Sequence, residues 1–137
     1  LHTENGHLKV KVIGNSIKRY KNSTPNLFFD NGINVLFYKD SVSISTTLEA
    51  IRANIDEINS IMIASGNVIL ISSDDKKLET EELVWDQKKN QIYTDKNVVI
   101  TTGKEIIQGT GFESNEDFSE YSISKIHGTF TFENLAN

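Results

Sequence analysis

Apolar and polar residues alternate with a period of two along most of this chain. The alternation is regular at Val10 and Val12, at Val68 and Leu70, and at Val98 and Ile100. A period of two with β-branched and aromatic residues is typical of half-buried β-strands. Turn-forming sequences such as 65–67 (Ser-Gly-Asn) and 95–97 (Asp-Lys-Asn) separate the runs. The pattern therefore predicts an all-β fold built from many short strands, such as a sandwich, jelly roll or barrel.

One segment also fits a helix, because Leu48, Ile51 and Ile55 lie at helical spacing between Thr47 and Asn59. An internal repeat of 30 residues contradicts that interpretation. Residues 50–56 align with residues 80–86, residues 67–70 align with residues 97–100, and residues 127–130 begin a third copy. A repeat of this length indicates one structural unit stacked on its neighbours. We therefore predict stacked antiparallel strand pairs, each with a bent strand, and almost no helix.

The phase of the alternation changes inside each repeat. Leu48 and Ala50 give way to Ala53 and Ile55, Leu78 and Thr80 give way to Leu83 and Trp85, and Ile61 and Ile63 give way to Val68 and Leu70 across Gly66. A slip of one residue turns side chains to the other face unless a bulge compensates. We therefore predict a bulge at each slip and a continuous inward face. Its members are Ile61, Ile63, Val68, Leu70, Leu83, Trp85, Tyr93, Val98, Ile100, Tyr121, Ile123 and Phe130.

The composition fits one globular domain spanning residues 1–137. The formal net charge of −5 argues against nucleic-acid binding, which needs a basic face. The chain has no cysteine, so disulfides and thiolate sites are excluded. No run of about 18 apolar residues is present. Because the chain begins at Leu1, we expect a processed or truncated form whose signal or anchor lies upstream.

No arrangement of residues predicts catalysis, and we expect no catalytic residue, metal or cofactor. The three histidines are far apart, whereas a zinc site needs converging ligands. Residues 102–105 lack the upstream glycine and the final Ser/Thr of a phosphate loop. The acidic clusters lie in turns or on polar strand faces, as solvated carboxylates do. An enzyme such as a glycosidase is therefore the weakest of the hypotheses.

Several segments resemble the LptC family, in particular its Bacteroidetes-type branch. The similar segments are 64–68, 78–86, 91–96, 109–114 and 126–128, and segments 8–15, 18–20 and 32–35 fit as well. They follow the family's order and spacing over most of the chain. The resemblance implies a β-jelly roll open along one side, of the OstA or LptA type. It also implies a periplasmic protein whose full-length form is anchored to the inner membrane.

The resemblance further implies lipopolysaccharide transport. The lipid A acyl chains would bind in an apolar groove formed by the inward-facing residues named above. The partners would be an ABC transporter of the LptB2FG type and an LptA-like bridge protein. We expect these partners at the two end strands, at Leu8, Val10 and Val12 and at Gly128, Phe130 and Phe132. Gly128 stands where earlier repeats carry Val98 and Val68, so we expect either a bulge glycine or a close approach of a partner.

An alternative remains open at this point. The same strands could form a structural or protein-interaction module of the cell envelope whose interior is a closed core. The volume between the sheets discriminates the two hypotheses, because an open apolar slot favours lipid transfer and a filled interior favours the structural module.

Overall fold

The computed structural model describes the backbone of residues 2–4 and 7–132 and the side chains of residues 9–132. The described part consists of strands and turns, and none of it is helical. The strands are β1 (His2–Glu4), β2 (His7–Gly14), β3 (Lys18–Arg19), β4 (Leu27–Phe29), β5 (Ile33–Tyr38), β6 (Ile44–Ala50), β7 (Arg52–Asp56), β8 (Ile61–Ser72), β9 (Lys77–Asp86), β10 (Gln91–Thr101), β11 (Glu105–Asn115) and β12 (Tyr121–Thr131). The prediction of an all-β fold without the helix at 47–59 is confirmed.

The strands form one antiparallel sheet that bends at its middle. Its order is β1-β2-β5-β6-β8-β9-β10-β11-β12, and β3, β4 and β7 form a branch that joins β8. The first part of β8 pairs with β7 and its second part with β6. We call the half that contains β2, β5, β6 and residues 68–72 half-sheet A. Half-sheet B contains β3, β4, β7 and residues 61–65, and β9 to β12 run through both halves.

Bulges mark the line along which the sheet bends. On β8, Gly66 and Asn67 have positive φ angles of 83° and 47°, and the pairing with β9 shifts between Ser65 and Val68. A Cβ on Gly66 would lie 2.9 Å from the Cβ of Ile51, where β6 passes into β7. Glycine is therefore required at this close approach. The predicted bulge on β8 is confirmed here.

A row of apolar residues crosses half-sheet A from strand to strand. Consecutive strands place these side chains side by side: Val12, Val35, Leu48, Leu70, Leu78, Ile100 and Ile107. All except Val12 are buried. A similar row in half-sheet B holds Leu27, Ile55, Met62, Trp85 and Ile92. Each fully buried side chain of this size contributes roughly 1.5–3 kcal/mol, so these rows hold the two half-sheets together.

The predicted orientation of four inward-facing residues is wrong. Burial along β8 stays on the even positions from Met62 through Leu70, so Ile61 and Ile63 lie on the outer face. The phase change predicted on β9 is confirmed, because Leu78 and Thr80 are buried before the bend and Leu83 and Trp85 after it. The change predicted between β6 and β7 is confirmed as well, whereas β8 shows none. β8 spans the bend with one more residue than β9, which restores its original phase. The outer face therefore carries the larger β-branched side chains here, and these misled the interpretation of the pattern.

The other two residues, Tyr93 and Phe130, are misplaced for separate reasons. Tyr93 is exposed because its neighbours Ile92 and Thr94 point inward on β10. On β12 a bulge at His127 changes the phase, since Gly128 pairs with Gln108 whereas Ile126 pairs with Gly109. Phe130 therefore lies opposite Ile106 on the outer face and is 53% exposed. Ile126, not Gly128, takes the position that Val68 and Val98 occupy in the earlier repeats.

Candidate functional site

The two half-sheets are separated by a cavity at the end of the sheet nearest β2. Its volume is about 360 Å³, which is within the range of about 300–1,000 Å³ typical of ligand sites. The apolar lining consists of Val10, Val12, Ile17, Leu27, Phe29, Ile55 and Trp85. The polar lining consists of Arg19, Glu57, Ser60 and Gln87. The cavity therefore combines apolar walls from both half-sheets with a substantial polar lining.

The position of a lining side chain follows from the strand that carries it and from the face of that strand on which it lies. Val10 and Val12 extend from β2 in half-sheet A. Leu27, Ile55 and Trp85 belong to the row of half-sheet B and face β2 from the other side. On the side of half-sheet B, the cavity is bordered by β3, which has only two residues.

Hydrogen bonds and an ion pair among polar side chains fix the rim of the cavity. Arg19 Nη1 lies 2.7 Å from Glu57 Oε1, and Asn26 Nδ2 donates a 2.8 Å hydrogen bond to the same oxygen. The backbone N–H of Glu57 donates to Asn26 Oδ1 at 3.0 Å. The hydrogen bond from Asn26, and then the charge and hydrogen bond of Arg19, hold the pKa of Glu57 below its ordinary value. The cluster ties the loop before β4 to the turn after β7.

Trp85 forms the inner wall of the cavity. Its ring packs edge-on against Phe37 with the centroids 4.9 Å apart, although β9 and β5 are not paired strands. Its Nε1 donates a 2.7 Å hydrogen bond to Glu116 Oε2. Beyond this wall lies a second space of about 380 Å³, lined by Phe37, Glu116 and mostly polar residues. Trp85, Phe37 and Glu116 therefore separate two spaces between the half-sheets.

Most of the predicted groove residues lie in a closed part of the interior. Val68, Leu70, Leu83, Val98 and Ile100 are at most 2% exposed and fill the middle of the core. Tyr121 and Ile123 are half-buried on β12 and pack against that core. Of the twelve residues, Trp85 alone lines the apolar cavity. The interior is thus filled in the middle and open near β2.

The structure places the residues predicted to contact partners in different environments. The prediction that Leu8 to Val12 form the end strand is wrong, because β1 pairs with β2 at Leu8 and Val10 and is itself the end strand. The side chains of Val10 and Val12 line the cavity. The side chain of Leu8 lies outside the described residues. At the other end, β12 pairs only with β11 among the described strands, so its second edge is unpaired. A Cβ on Gly128 would meet nothing within 4 Å, so a bulge does not require glycine there.

Sequence reasoning missed the residues that form most of the cavity. Leu27 and Phe29 belong to a short strand outside the 30-residue repeat, and nothing in the pattern placed that strand opposite β2. Ile55 could have been found, because the repeat aligns it with Trp85. The described residues contain no group of three or more His, Asp or Glu side chains that could hold a metal ion.

Comparisons with known proteins agree with this architecture. Residues 2–129 match the family described as "Lipopolysaccharide-assembly, LptC-related". No curated protein matches the sequence. Among solved structures, the chain is similar to LptH from Pseudomonas aeruginosa, described as the LptA homologous periplasmic component of the conserved lipopolysaccharide transport device. The TM-score is 0.63 at 9% identity, covering 85% of this chain and 82% of LptH, so the likeness shows a shared fold.

Proposed function

This chain belongs to the LptC-related family of lipopolysaccharide-assembly proteins, and we propose that it carries lipopolysaccharide by holding lipid A acyl chains in the cavity beside β2. The observation that carries the proposal is the set of apolar side chains that both half-sheets contribute to that cavity around Trp85. The lining offers aliphatic and aromatic contacts and no reactive group. Binding without chemistry is what a transport protein requires.

The size of the cavity fits a moderate affinity. Each buried methylene contributes about 0.8 kcal/mol, so burial of about six methylenes supplies about 5 kcal/mol. That free energy corresponds to a dissociation constant between about 1 mM and 0.1 mM. A carrier must release its cargo, and a binding energy of this order allows release.

The two sheet edges support a proposal about direction. We propose that the transporter passes lipid to the cavity end of the domain, near β2, and that an LptA-like bridge protein adds a strand to β12. Unpaired strand edges bind added strands through backbone hydrogen bonds. The family assignment supports a periplasmic location with an inner-membrane anchor and supplies the polarity of transfer. The middle of the interior is filled, so lipid moving towards β12 must displace side chains there.

The filled middle also favours the structural alternative, in which the domain only joins its partners. A photo-crosslinking experiment discriminates the two functions. A photoreactive residue at Ile55 should capture lipopolysaccharide, whereas one at Ile100 in the closed core should not. A third probe at Phe130, on the outer face, controls for surface adsorption. Capture at Ile55 no greater than at Phe130 would exclude the cavity as the lipid site and favour the structural role.

A further inference from the structure

The turn between β11 and β12 crosses from half-sheet B to half-sheet A. We call its residues 116–119 the bridging turn. The hydroxyl of Thr46, on β6 of half-sheet A, donates a 2.9 Å hydrogen bond to the backbone carbonyl of Glu116. The Glu116 carboxylate accepts a 2.7 Å hydrogen bond from Trp85 Nε1, on half-sheet B. Because β6 meets the bend at Ala50, these contacts close the gap between the half-sheets at the margin away from the bend.

The bridging turn inserts one aromatic side chain into the interior. Phe118 is fully buried, and its ring packs edge-on against Phe112 and Tyr121 with centroids 5.5 Å and 5.3 Å away. The ammonium of Lys76, in the turn between β8 and β9, lies 5.5 Å from the centroid of the same ring. A buried aromatic side chain removes about 150–250 Å² from water. Outward movement of Phe118 would therefore open an apolar space between the half-sheets.

The backbone of Phe118 adopts a conformation that a bulky residue rarely takes. Its φ is 60°, in the left-handed region. The turns 57–60 and 87–90 also contain a positive φ, but they place it on the polar residues Ser60 and Asn90, and none of their side chains is buried. Among these three turns, the bridging turn alone combines the strained backbone with a buried side chain. Such strain is concentrated at ligand clamps and switch regions.

The contacts that close the bridging turn are separate from those that form it. At its base, the backbone N–H of Asn115 donates a 3.2 Å hydrogen bond to the Glu120 carbonyl, and both residues belong to the β11–β12 hairpin. Towards half-sheet A, the hydroxyl of Thr46 and the ammonium of Lys9, 3.6 Å away, contact Glu116. Each such polar contact has a modest net value. The turn can therefore swing out while the pairing of β11 with β12 stays intact.

We propose that the bridging turn is a lid and that the space filled by Phe118 is a second acyl-chain site, occupied by the protein itself while the lid is closed. This inference rests on the carrier function proposed above. An acyl chain and Phe118 compete for one space, so the lipid binds the open state and shifts the population towards it. Phe112 and Tyr121 would line the opened site. Opening also withdraws Glu116 from the partition between the cavity and the second space.

A photoreactive residue beside Phe118 reports on this site. p-Azidophenylalanine in place of Tyr121 keeps the aromatic ring and should capture tetradecanoic acid weakly in the otherwise unchanged protein, as measured by the mass of the intact chain. Thr46→Val removes the hydroxyl that holds the lid and keeps the shape of the side chain. Because apparent affinity scales with the open fraction, half-saturation of capture should fall roughly twofold to tenfold.

Thr47→Val is the matched control for the lid contact. It makes the same chemical change one residue along β6, where the side chain lies on the outer face opposite Leu36 and Ile71. Half-saturation of capture at position 121 should equal that of the unchanged protein. If Thr46→Val and Thr47→Val give the same half-saturation, the Thr46 contact does not hold a lid and the proposal is overturned.

Phe118→Ala tests the competition directly. Removing the side chain that fills the site should increase capture at position 121 at least as much as Thr46→Val does, although the variant loses core packing. Phe112→Ala removes a ring from the same cluster and leaves Phe118 in place, so it should not increase capture. A folded Phe118→Ala variant that captures no more than the unchanged protein would show that Phe118 only packs the core. If that variant does not fold, the comparison of Thr46→Val with Thr47→Val decides.

The lid and the proposed carrier function fail separately in this experiment. Capture at a photoreactive residue in place of Ile55, without any gain at position 121 in Thr46→Val, would reject the lid and leave the cavity as the lipid site. A gain at position 121 without capture at Ile55 would support the lid site and reject the cavity. Absence of capture at both positions in every variant would reject both proposals.

Discussion

Trp85 and Glu116 are joined by a 2.7 Å hydrogen bond from the indole Nε1 to the carboxylate Oε2. The carboxylate also lies 3.6 Å from Lys9 Nζ, and the backbone carbonyl of Glu116 accepts a 2.9 Å hydrogen bond from the hydroxyl of Thr46. Lys9 and Thr46 belong to half-sheet A, whereas Trp85 belongs to half-sheet B. The turn between β11 and β12 therefore connects the two half-sheets beside the cavity wall. Phe118 in that turn is fully buried and packs against Phe112.

Removing the Glu116 carboxylate should destabilise the fold. Glu116→Ala leaves the buried indole N–H without its acceptor, at a cost of about 1–3 kcal/mol in free energy of unfolding. Glu116→Gln keeps a neutral acceptor and should cost less. Urea denaturation followed by the emission of Trp85, the single tryptophan, measures both. Glu120→Ala, an exposed change in the same turn, should stay within about 0.5 kcal/mol of the wild type. If Glu120→Ala lowers the free energy of unfolding as much as Glu116→Ala does, the loss is not specific to the indole hydrogen bond.

Truncations in the two parts of the interior should differ in cost. Leu70 is fully buried in the filled middle, so Leu70→Ala opens a new void and should cost about 2–5 kcal/mol. Ile55 already borders a cavity, so Ile55→Ala enlarges an existing space and should cost less than Leu70→Ala by about 1 kcal/mol or more. Chemical denaturation measures both costs, provided that the unfolding free energy of the two variants has the same dependence on denaturant concentration. Equal costs would mean that the space beside Ile55 is filled in solution.

The sequence was sufficient for the strands and for the repeat, because alternation and turn residues are local signals. It was also sufficient for the phase change on β9, but it was insufficient for the phase on β8. Ile61 and Ile63 look like core residues, and only the pairing of β8 with β9 reveals that Met62 and Ala64 face inward. The cavity depends on β3 and β4, which lie outside the repeat and reach their place through the long-range pairing of β4 with β7. Pairing between strands that are distant in sequence produces no periodic pattern of apolar residues.

The stability of the turn between β8 and β9 should depend on pH through Asp74. Hydrogen bonds from Lys76 and then from the Ser72 hydroxyl lower the pKa of Asp74 to about 2. A pKa lowered in the folded state stabilises the fold above the unfolded pKa of about 3.9, and this contribution is lost as the pH falls from about 4 to about 2. Because the side chain is 65% exposed, the contribution is below about 1 kcal/mol.

Asp74→Asn should therefore lower the thermal midpoint slightly at pH 7, and the difference from the wild type should vanish near pH 2. Thermal melts across that pH range measure the effect. Glu81→Gln, which removes an exposed carboxylate from β9, should match the wild type throughout. A gap between wild type and Asp74→Asn that persists unchanged at pH 2 would show that charge on Asp74 is not its source.

Two glycines near the end of the sheet should respond very differently to substitution. Gly111 has a φ of 81°, and a Cβ there would lie 2.6 Å from the Ser124 hydroxyl oxygen. Gly111→Ala should cost about 1–3 kcal/mol from backbone strain, with the clash in addition. Gly128 has open space where a Cβ would lie, so Gly128→Ala should change stability by less than about 0.5 kcal/mol. Thermal melts rank the two, and equal melts would refute the close approach at Gly111.

The unpaired edge of β12 should be the surface that captures an LptA-like bridge protein. Gly128→Arg places a long charged side chain on the strand that an added strand would join, so we expect capture in a pull-down to be lost while the thermal melt stays near that of the wild type. Gln108→Arg is the matched control, because Gln108 pairs with Gly128 and is exposed on the outer face of β11, one strand away from the edge. The control should retain capture. If both variants lose capture, the partner covers the outer face rather than the edge, and if Gly128→Arg captures normally, β12 is not the docking strand at this position.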